Sequence, residues 1–427
     1  AQEAVAMAAS PDLPSFPMAA LSTASISACD SSNVCTLTGT LSNNDVDASA
    51  DNTTAITFTT RVKYSDGKFR LLHYCLRAST RFREYLPLAI TAATGAATAG
   101  KRGAVREEGI RNGSNMSTAL GVIELCYGDT GLLLTMPRQG LGNSAIAAVA
   151  NDEQLERFAG KWAAMAITEP GTGSDSANIR TTAVKDGDDY IINGNKMWIS
   201  NGIYGNCFAV LVKTDLNASP RHKGMSLFIV EKSDAFRASR KLEKLGYKGI
   251  DSAELVFDQC RVPASQLIGG KEGKGLQMIL NGLELGRINV AARGVGVAQA
   301  AQNEAVKYSQ QRKTFGKQIC EHQAIQLKLG DMATRTEASR LLTMRAAEAY
   351  DRGERCDMEA GMAKLFATES ALENSMEAMR IHGGYGYSKE YLVERFYRDA
   401  PLLTIGEGTN EMQRIIIAKQ LIARNPV

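Results

Sequence analysis

A single carboxylate near the C-terminus, Glu407, lies between Gly406 and Gly408, after an apolar run and before an amphipathic segment, residues 412–421. Flanking glycines let the backbone come close to a ligand and leave the carboxylate little neighbouring bulk. Such an acid can therefore meet a ligand directly. An acid in a glycine-rich turn is more often a solvated turn residue, so the function of Glu407 depends on the rest of the chain.

Two further glycine-dense segments could hold a ligand. In residues 169–175 a proline and two glycines predict a loop with unusual backbone angles and several free N–H groups. This loop is either a tight turn or a cradle for a phosphate or the edge of a cofactor ring. It lacks both the Walker sequence and the spacing of the dinucleotide-binding motif, so any cofactor is not held by a Rossmann-type fold. The second segment is residues 380–387.

Composition excludes several classes of function. The 427 residues include 49 Lys plus Arg and 46 Asp plus Glu, a net charge of +3 that gives no reason to expect nucleic acid or an anionic membrane as partner. No apolar run approaches the roughly 20 residues that span a bilayer. The eight cysteines form no C-x-x-C and the four histidines no H-E-x-x-H. We therefore predict a reduced intracellular protein without a metal or a membrane span.

The N-terminal part predicts little. Residues 1–60 contain no Lys or Arg, which argues against a mitochondrial transit peptide, and a processed or partial N-terminus stays open. Alternation over residues 54–62 indicates a strand, and the rest of the segment stays unassigned. We predict a helical domain over 61–162, with helices near 117–125, 143–149 and 151–162, the last capped by Asn151 or Asp152.

The remainder predicts an α+β protein in the order α, β, α. Short strand-like runs separated by turns predict a β-barrel or sandwich domain over 163–265. From residue 266 to 427 the apolar period changes to 3.6, which predicts a C-terminal four-helix bundle whose Met and Leu stripes form the core.

Five segments in this order resemble the acyl-CoA dehydrogenase family, flavoproteins with an N-terminal helical domain, a central β domain and a C-terminal four-helix bundle. They are residues 165–175, 193–202, 311–316, 381–386 and the stretch around Glu407. The resemblance is specific over 165–427 and weaker back to about residue 105. Residues 1 to roughly 100 do not resemble the family's usual first helices.

The resemblance implies FAD as cofactor. On the flavin side it implies contacts from Met165, Ile167, Thr168, Gly173, Ser174, Trp198, Ile199 and Ser200. The diphosphate and adenine would be met across a subunit interface by Arg312, Thr314 and Gln323. The nucleotide site would be completed by Arg380, Ile381, Gly383, Gly384, Thr409 and Glu411.

The resemblance also implies the reaction, α,β-desaturation of an acyl-CoA thioester to the trans-2-enoyl-CoA. A base removes the α-proton while the β-hydride leaves to flavin N5, and desolvation makes a carboxylate basic enough. Some branches of the family carry the base at the position held here by Gly286, so we predict Glu407 as the base. Substrate contacts are expected from Ser174, Glu284, Arg287 and Gly408. Gly406 stands where many relatives carry Tyr, which leaves the acyl chain length undetermined.

The partners follow from the same resemblance. We expect an electron-transfer flavoprotein as electron acceptor, a homotetramer built as a dimer of dimers, and a role in fatty acid β-oxidation. The expected compartment is a bacterial cytoplasm, with the mitochondrial matrix as alternative. Two other functions stay open: an oxygen-using relative of the acyl-CoA or nitroalkane oxidase type, and a non-catalytic scaffold.

Overall fold

The computed structural model describes four strands before residue 70, then residues 115–131, 133, 142, 146, 149–158 and 161–427. The chain divides into two units, Ala1–Pro87 and Leu88–Val427. In the described part of the chain no helix is long and apolar enough to cross a bilayer. The same residues contain no cluster of His, Cys, Asp and Glu that could hold a metal ion.

The first unit contains an antiparallel sheet in the order β1-β2-β3-β4. Its strands are β1 (Leu21–Ile26), β2 (Val34–Leu41), β3 (Ile56–Ser65) and β4 (Lys68–Phe69). The strand predicted over 54–62 is confirmed as β3. This strand crosses the boundary predicted at 60/61, so the helical domain does not begin there, because β-branched residues on both sides of the boundary favour continued strand.

Among the described residues, two helices precede the β domain, α1 (Asn115–Asp129) and α2 (Asp152–Phe158). The predicted N-cap Asn151 is confirmed. Its Oδ1 accepts a hydrogen bond from Gln154 N at 2.9 Å, and Gln154 Oε1 accepts one from Asn151 N at 3.2 Å. The helix ends at Phe158, short of the predicted residue 162. Most of the helix predicted over 143–149 lies outside the described residues.

The β domain is one curled sheet of seven strands. They are β5 (Ala163–Ala166), β6 (Thr182–Asp186), β7 (Asp189–Ser200), β8 (Cys207–Lys213), β9 (Met225–Glu231), β10 (Phe236–Lys241) and β11 (Ser252–Pro263). Their order is β10-β11-β7-β6-β8-β5, and β9 pairs with β8. Alternate side chains of β8 enter two different apolar clusters, which is why this strand is a continuous apolar run without polar alternation.

The C-terminal helical domain has five helices in the described chain. They are α3 (Gly275–Gln311), α4 (Gln323–Asp351), α5 (Asp357–His382), α6 (Val393–Ile405) and α7 (Asn410–Arg424); a short hairpin, β12 (Lys313–Thr314) and β13 (Lys317–Gln318), follows α3. The helices α6 and α7 are separated at residues 406–409, where the sequence places the glycine-rich turn around Glu407. Glycines let α3 pack closely on its neighbours: a Cβ on Gly294 would lie 2.7 Å from Ala367 O of α5. The long helix α3 is thus the scaffold of this domain.

Candidate active site

The turn between α6 and α7 brings Glu407 against helix α3. Glu407 and Gly408 both have left-handed backbone angles, with φ of +55° and +82°. A Cβ built on Gly286 of α3 would lie 2.9 Å from Glu407 Oε2. The two positions that compete for the base in the sequence therefore meet in space, and the missing side chain of Gly286 leaves the room that the Glu407 carboxylate fills.

The surroundings of Glu407 strengthen it as a proton acceptor. The residue is half-buried, and burial of its carboxyl group raises the pKa above its ordinary value. Arg293 and Arg287 of α3 and Lys364 of α5 act in the opposite direction, because their positive charges favour the carboxylate form. Desolvation outweighs them, so Glu407 is a stronger base than a solvated glutamate.

Two buried side chains that the sequence analysis missed hold this turn. Lys364 Nζ donates to Gly408 O at 2.9 Å, to Asn410 Oδ1 at 2.7 Å and to Thr404 O at 3.2 Å. Gln413 Nε2 donates to Gly408 O at 3.0 Å and to the carbonyl of residue 407 at 3.3 Å. A lysine in the buried alanine-rich stripe of α5 was the available indication, because a buried cation needs acceptors.

The predicted substrate residues Glu284 and Arg287 flank Gly286 on α3 and join a buried polar cluster. Arg287 is 5% exposed, and its Nη1 donates to Asp357 Oδ1 at 3.3 Å. Cys356 Sγ donates to Glu284 Oε2 at 3.6 Å. Burial, and then the negative charge of Asp357, raise the pKa of Glu284 to about 7. The structure thus brings this pair to the turn of α3 that faces Glu407.

The loop after β5 and strand β7 form a second part of the site. Met197 N donates to Thr168 O at 2.8 Å, which joins the loop to the strand that carries Trp198. Trp198 is 59% exposed, so its ring is presented to solvent, and its backbone is left-handed with φ of +63°. Ser174 is exposed and Ser200 half-buried, and a Cβ on Gly173 would meet no atom within 4 Å.

A buried ion pair supports this loop. Lys196 Nζ lies 2.9 Å from Glu169 Oε1 and 3.0 Å from Ile167 O. Glu169 also accepts hydrogen bonds from Thr181 N at 2.9 Å and Arg180 N at 2.6 Å. Burial opposes ionisation of Glu169, but Lys196 and these donors outweigh it and hold the pKa of that carboxyl below its usual range. The pair therefore fixes residues 167–169 against β7.

Three predicted flavin contacts have side chains turned to the apolar core. The Ile199 side chain is 3% exposed and lies in the core of the sheet, so that only its backbone can face a ligand. Met165 and Ile167 are half-buried and pack on the apolar cluster on the other face of β8. These residues position the loop by packing.

A separate cavity of about 820 Å³ lies between α3, the β12–β13 hairpin and the end of α5. Its lining includes the predicted residues Arg312, Thr314, Ile381, Gly383 and Gly384. It also includes residues that the sequence analysis missed: Tyr308, Phe315, His322 and Tyr385. Cβ atoms built on the two glycines would meet nothing within 4 Å, so the wall is open to a ligand there.

The other predicted nucleotide residues do not line this cavity. Gln323 and Glu411 are exposed, and Arg380 pairs with Glu377 at 2.5 Å. Thr409 caps α7, its Oγ1 accepting from Met412 N at 3.4 Å. The cavity wall likewise contains neither Trp198 nor Glu407. The predicted FAD residues therefore do not all line one cavity on this chain.

Two family models match the chain, "Acyl-CoA dehydrogenase, middle domain" over residues 164–260 and "Acyl-CoA dehydrogenase, C-terminal domain" over residues 273–422. An acyl-CoA dehydrogenase of Bacillus subtilis is 42% identical over 316 residues, which cover 72% of this chain and 80% of that protein. The chain belongs to the acyl-CoA dehydrogenase family.

Other family members show a similar sequence and fold. The caffeyl-CoA reductase-Etf complex subunit CarC of Acetobacterium woodii is 38% identical over 304 residues, 70% of this chain and 79% of that protein. Butyryl-CoA dehydrogenase from Megasphaera elsdenii superposes with a TM-score of 0.72 at 33% identity, covering 82% of this chain and 95% of that chain. The family, the α+β fold, the oxidoreductase class and FAD as cofactor are thereby confirmed.

The residues present fit FAD. Arg312 brings a permanent cation with a planar fork to the cavity, which suits a diphosphate, and Gly383 and Gly384 leave the wall open beside it. Trp198 follows Met197, which is bonded to Thr168, and offers an exposed flat ring on which an isoalloxazine can stack.

Proposed function

We propose that this acyl-CoA dehydrogenase desaturates an acyl-CoA thioester between its α and β carbons to the trans-2-enoyl-CoA, with Glu407 as the base. The observation that carries this proposal is the position of the Glu407 carboxyl, in the space that Gly286 leaves on α3. The desolvated carboxyl has a raised pKa and so accepts a proton more readily than a solvated one.

Glu407 removes the α-proton of the thioester, a step for which general-base catalysis is typically worth about 10²–10⁴-fold. Bound FAD supplies the acceptor for the β-hydride. The acyl-CoA is contacted by Glu284 and Arg287, which lie on the same turn of α3 as Gly286. Further contacts come from Ser174 and Gly408. Arg287 is already paired with Asp357, so its side chain is held in place before substrate arrives.

The flavin ring of FAD is contacted by Thr168, Trp198 and Ser200. Its nucleotide part is contacted by Arg312, Gly383 and Gly384. The cavity that contains Arg312, Gly383 and Gly384 is not lined by Trp198. This supports an FAD site that is completed by a second copy of the chain at the predicted subunit interface. Large apolar side chains exposed on this domain support a homotetramer; they include Phe315, which is 95% exposed, and Leu327, Leu341 and Ile422.

An electron-transfer flavoprotein is the proposed electron acceptor, supported by the name of the Acetobacterium woodii relative, which places that protein in an Etf complex. The relatives reported above come from bacteria, which supports the bacterial cytoplasm as compartment and a role in fatty acid β-oxidation there.

The test is an anaerobic titration of the purified FAD-loaded protein with saturated acyl-CoAs of short, medium, branched and aryl-substituted chains. Bleaching of the flavin by one class supports the proposal and names the substrate class. Glu407→Gln should retain FAD and lose the bleaching; bleaching at the wild-type rate in this variant contradicts the base assignment. Hydrogen peroxide formed without an acceptor protein would favour the oxygen-using alternative, and a flavin that no acyl-CoA bleaches would favour a non-thioester substrate or the scaffold.

A further inference from the structure

Lys364 connects both sides of the turn that carries Glu407. The side chain is fully buried on α5, with 0% of its surface exposed. Its three acceptors are the carbonyl of Thr404 in α6, the carbonyl of Gly408 in the turn and the side chain of Asn410 at the start of α7. An ammonium group has three donors, so each finds one acceptor.

The turn needs such support. Glu407 has φ of +55°, a left-handed conformation that is unfavourable for a residue with a Cβ and persists only where the surroundings fix it. Gln413, also fully buried, donates to the carbonyls of residues 407 and 408. Together the two side chains bind the backbone carbonyls of residues 404, 407 and 408.

We propose that Lys364 is a positioning residue for the reaction: with Gln413 it fixes the backbone of the turn and so holds the Glu407 carboxylate beside Gly286 of α3. This inference rests on the proposed function, in which Glu407 is the base. Lys364 acts through Glu407 and contacts neither substrate nor cofactor.

Lys364 also acts on Glu407 through its charge. Burial lowers the pKa of Lys364 to about 8, against the attraction of Glu407 and Glu411, while Arg287 lowers it further and Glu369 raises it. Around Glu407 the other cations are Arg293 and Arg287, both on α3. Removing the Lys364 charge therefore raises the pKa of Glu407, and the base is protonated at a higher pH than in the wild type.

Four variants separate position from charge. Lys364→Met removes both the hydrogen bonds that fix the turn and the positive charge. Lys364→Arg keeps the charge but replaces the three donors of an ammonium group by a planar guanidinium. Gln413→Met removes hydrogen bonds to the turn without a change in charge. Lys161→Met is the control, since Lys161 is half-buried and pairs with Glu231 of β9, and neither residue belongs to the candidate site. For each, FAD content, the thermal unfolding midpoint and the pH profile of kcat/KM are measured with the acyl-CoA that bleaches the wild type fastest.

We expect Lys364→Met to lower the plateau rate by about 100-fold, the effect of misplacing a reacting group by about 1 Å. Its acid limb should move to higher pH by about one unit, the effect of losing a nearby opposite charge. Lys364→Arg and Gln413→Met should lower the plateau while the acid limb stays within about 0.3 units of wild type. Lys161→Met should change neither quantity.

A wild-type plateau and acid limb in FAD-loaded Lys364→Met would overturn the inference. If that variant does not fold, Lys364→Arg and Gln413→Met decide the question, because a wild-type plateau in both would also overturn it. Glu407→Gln separates this failure from failure of the proposed function. Turnover in Glu407→Gln would refute the assignment of Glu407 as the base. If Glu407→Gln is inactive while Lys364→Met behaves as the wild type, only the positioning role of Lys364 is refuted.

Discussion

Replacing Gly286 by alanine should slow the reaction while leaving the protein as stable as before, or slightly more so. The added Cβ would lie 2.9 Å from Glu407 Oε2 and 3.3 Å from Cδ, whereas ordinary contacts of this kind begin at about 3.4 Å. The carboxyl group must therefore move by about 0.5 Å. It is the end of a side chain, so it can move, but it moves away from the position that the turn and α3 give it.

The expected loss in rate follows from that displacement. Because a misplacement of about 1 Å costs up to roughly 100-fold in rate, half of it should cost about tenfold, or about 1.4 kcal/mol in the activation barrier. Stability should change in the other direction, since alanine in a helix interior is about 0.5–1 kcal/mol more favourable than glycine. For a protein of this size that gain raises the unfolding midpoint by about 0.5–1 °C.

The assay is single-turnover bleaching of the flavin under anaerobic conditions, with the unfolding midpoint measured on the same preparation. Gly330→Ala is the matched control, because Gly330 lies on the exposed side of α4 and its Cβ would meet nothing within 4 Å. It should show the gain in stability without the loss in rate. Wild-type bleaching in Gly286→Ala would refute the argument that the carboxyl beside this glycine carries the reaction.

Four other outcomes are expected. Glu407→Gln should keep its FAD and lose about 10²–10⁴-fold in bleaching rate, with FAD absorbance as the control. In the wild type, kcat/KM should fall as the pH drops through the raised pKa of Glu407, since only the carboxylate accepts the proton; an acid limb at or below about 4.3 would contradict this. Lys196→Met leaves Glu169 buried without its cation, so denaturant unfolding should show a loss of about 3–5 kcal/mol and FAD should dissociate more easily. Arg312→Gln should weaken FAD retention about tenfold, measured by fluorescence of released flavin, with unchanged retention as the contrary result.

Local patterns made part of this fold predictable. Alternation of β-branched and other residues identified β3, an asparagine before an amphipathic run identified the cap of α2, and continuous short apolar runs identified the β domain. Each depends on residues only a few positions apart. The strands β1 and β2 were missed because their sequences are rich in Ser and Thr and contain few large apolar residues, so that alternation is weak.

The site was less predictable because its contacts join distant parts of the chain. The motif identified Glu407, but nothing near it in sequence shows that its carboxyl fills the space left by Gly286. Lys364 has the surroundings of a core residue, and only the fold shows the turn that it holds. In the same way, the core position of the Ile199 side chain depends on which face of β7 is covered.

A base in an apolar site must be basic enough to remove a proton and yet be deprotonated at neutral pH. The environment of Glu407 meets both requirements. Full desolvation alone would keep a carboxyl protonated at neutral pH and useless for removing a proton, whereas full solvation would leave it too weakly basic. Burial raises its pKa, and the charges of Arg293, Arg287 and Lys364 limit that rise. Those cations lie on α3 and α5, two helices that pack closely at Gly294 and share an apolar cluster, so their distances from the carboxylate are fixed by the core. The same packing that holds the helices together therefore sets the strength of the base.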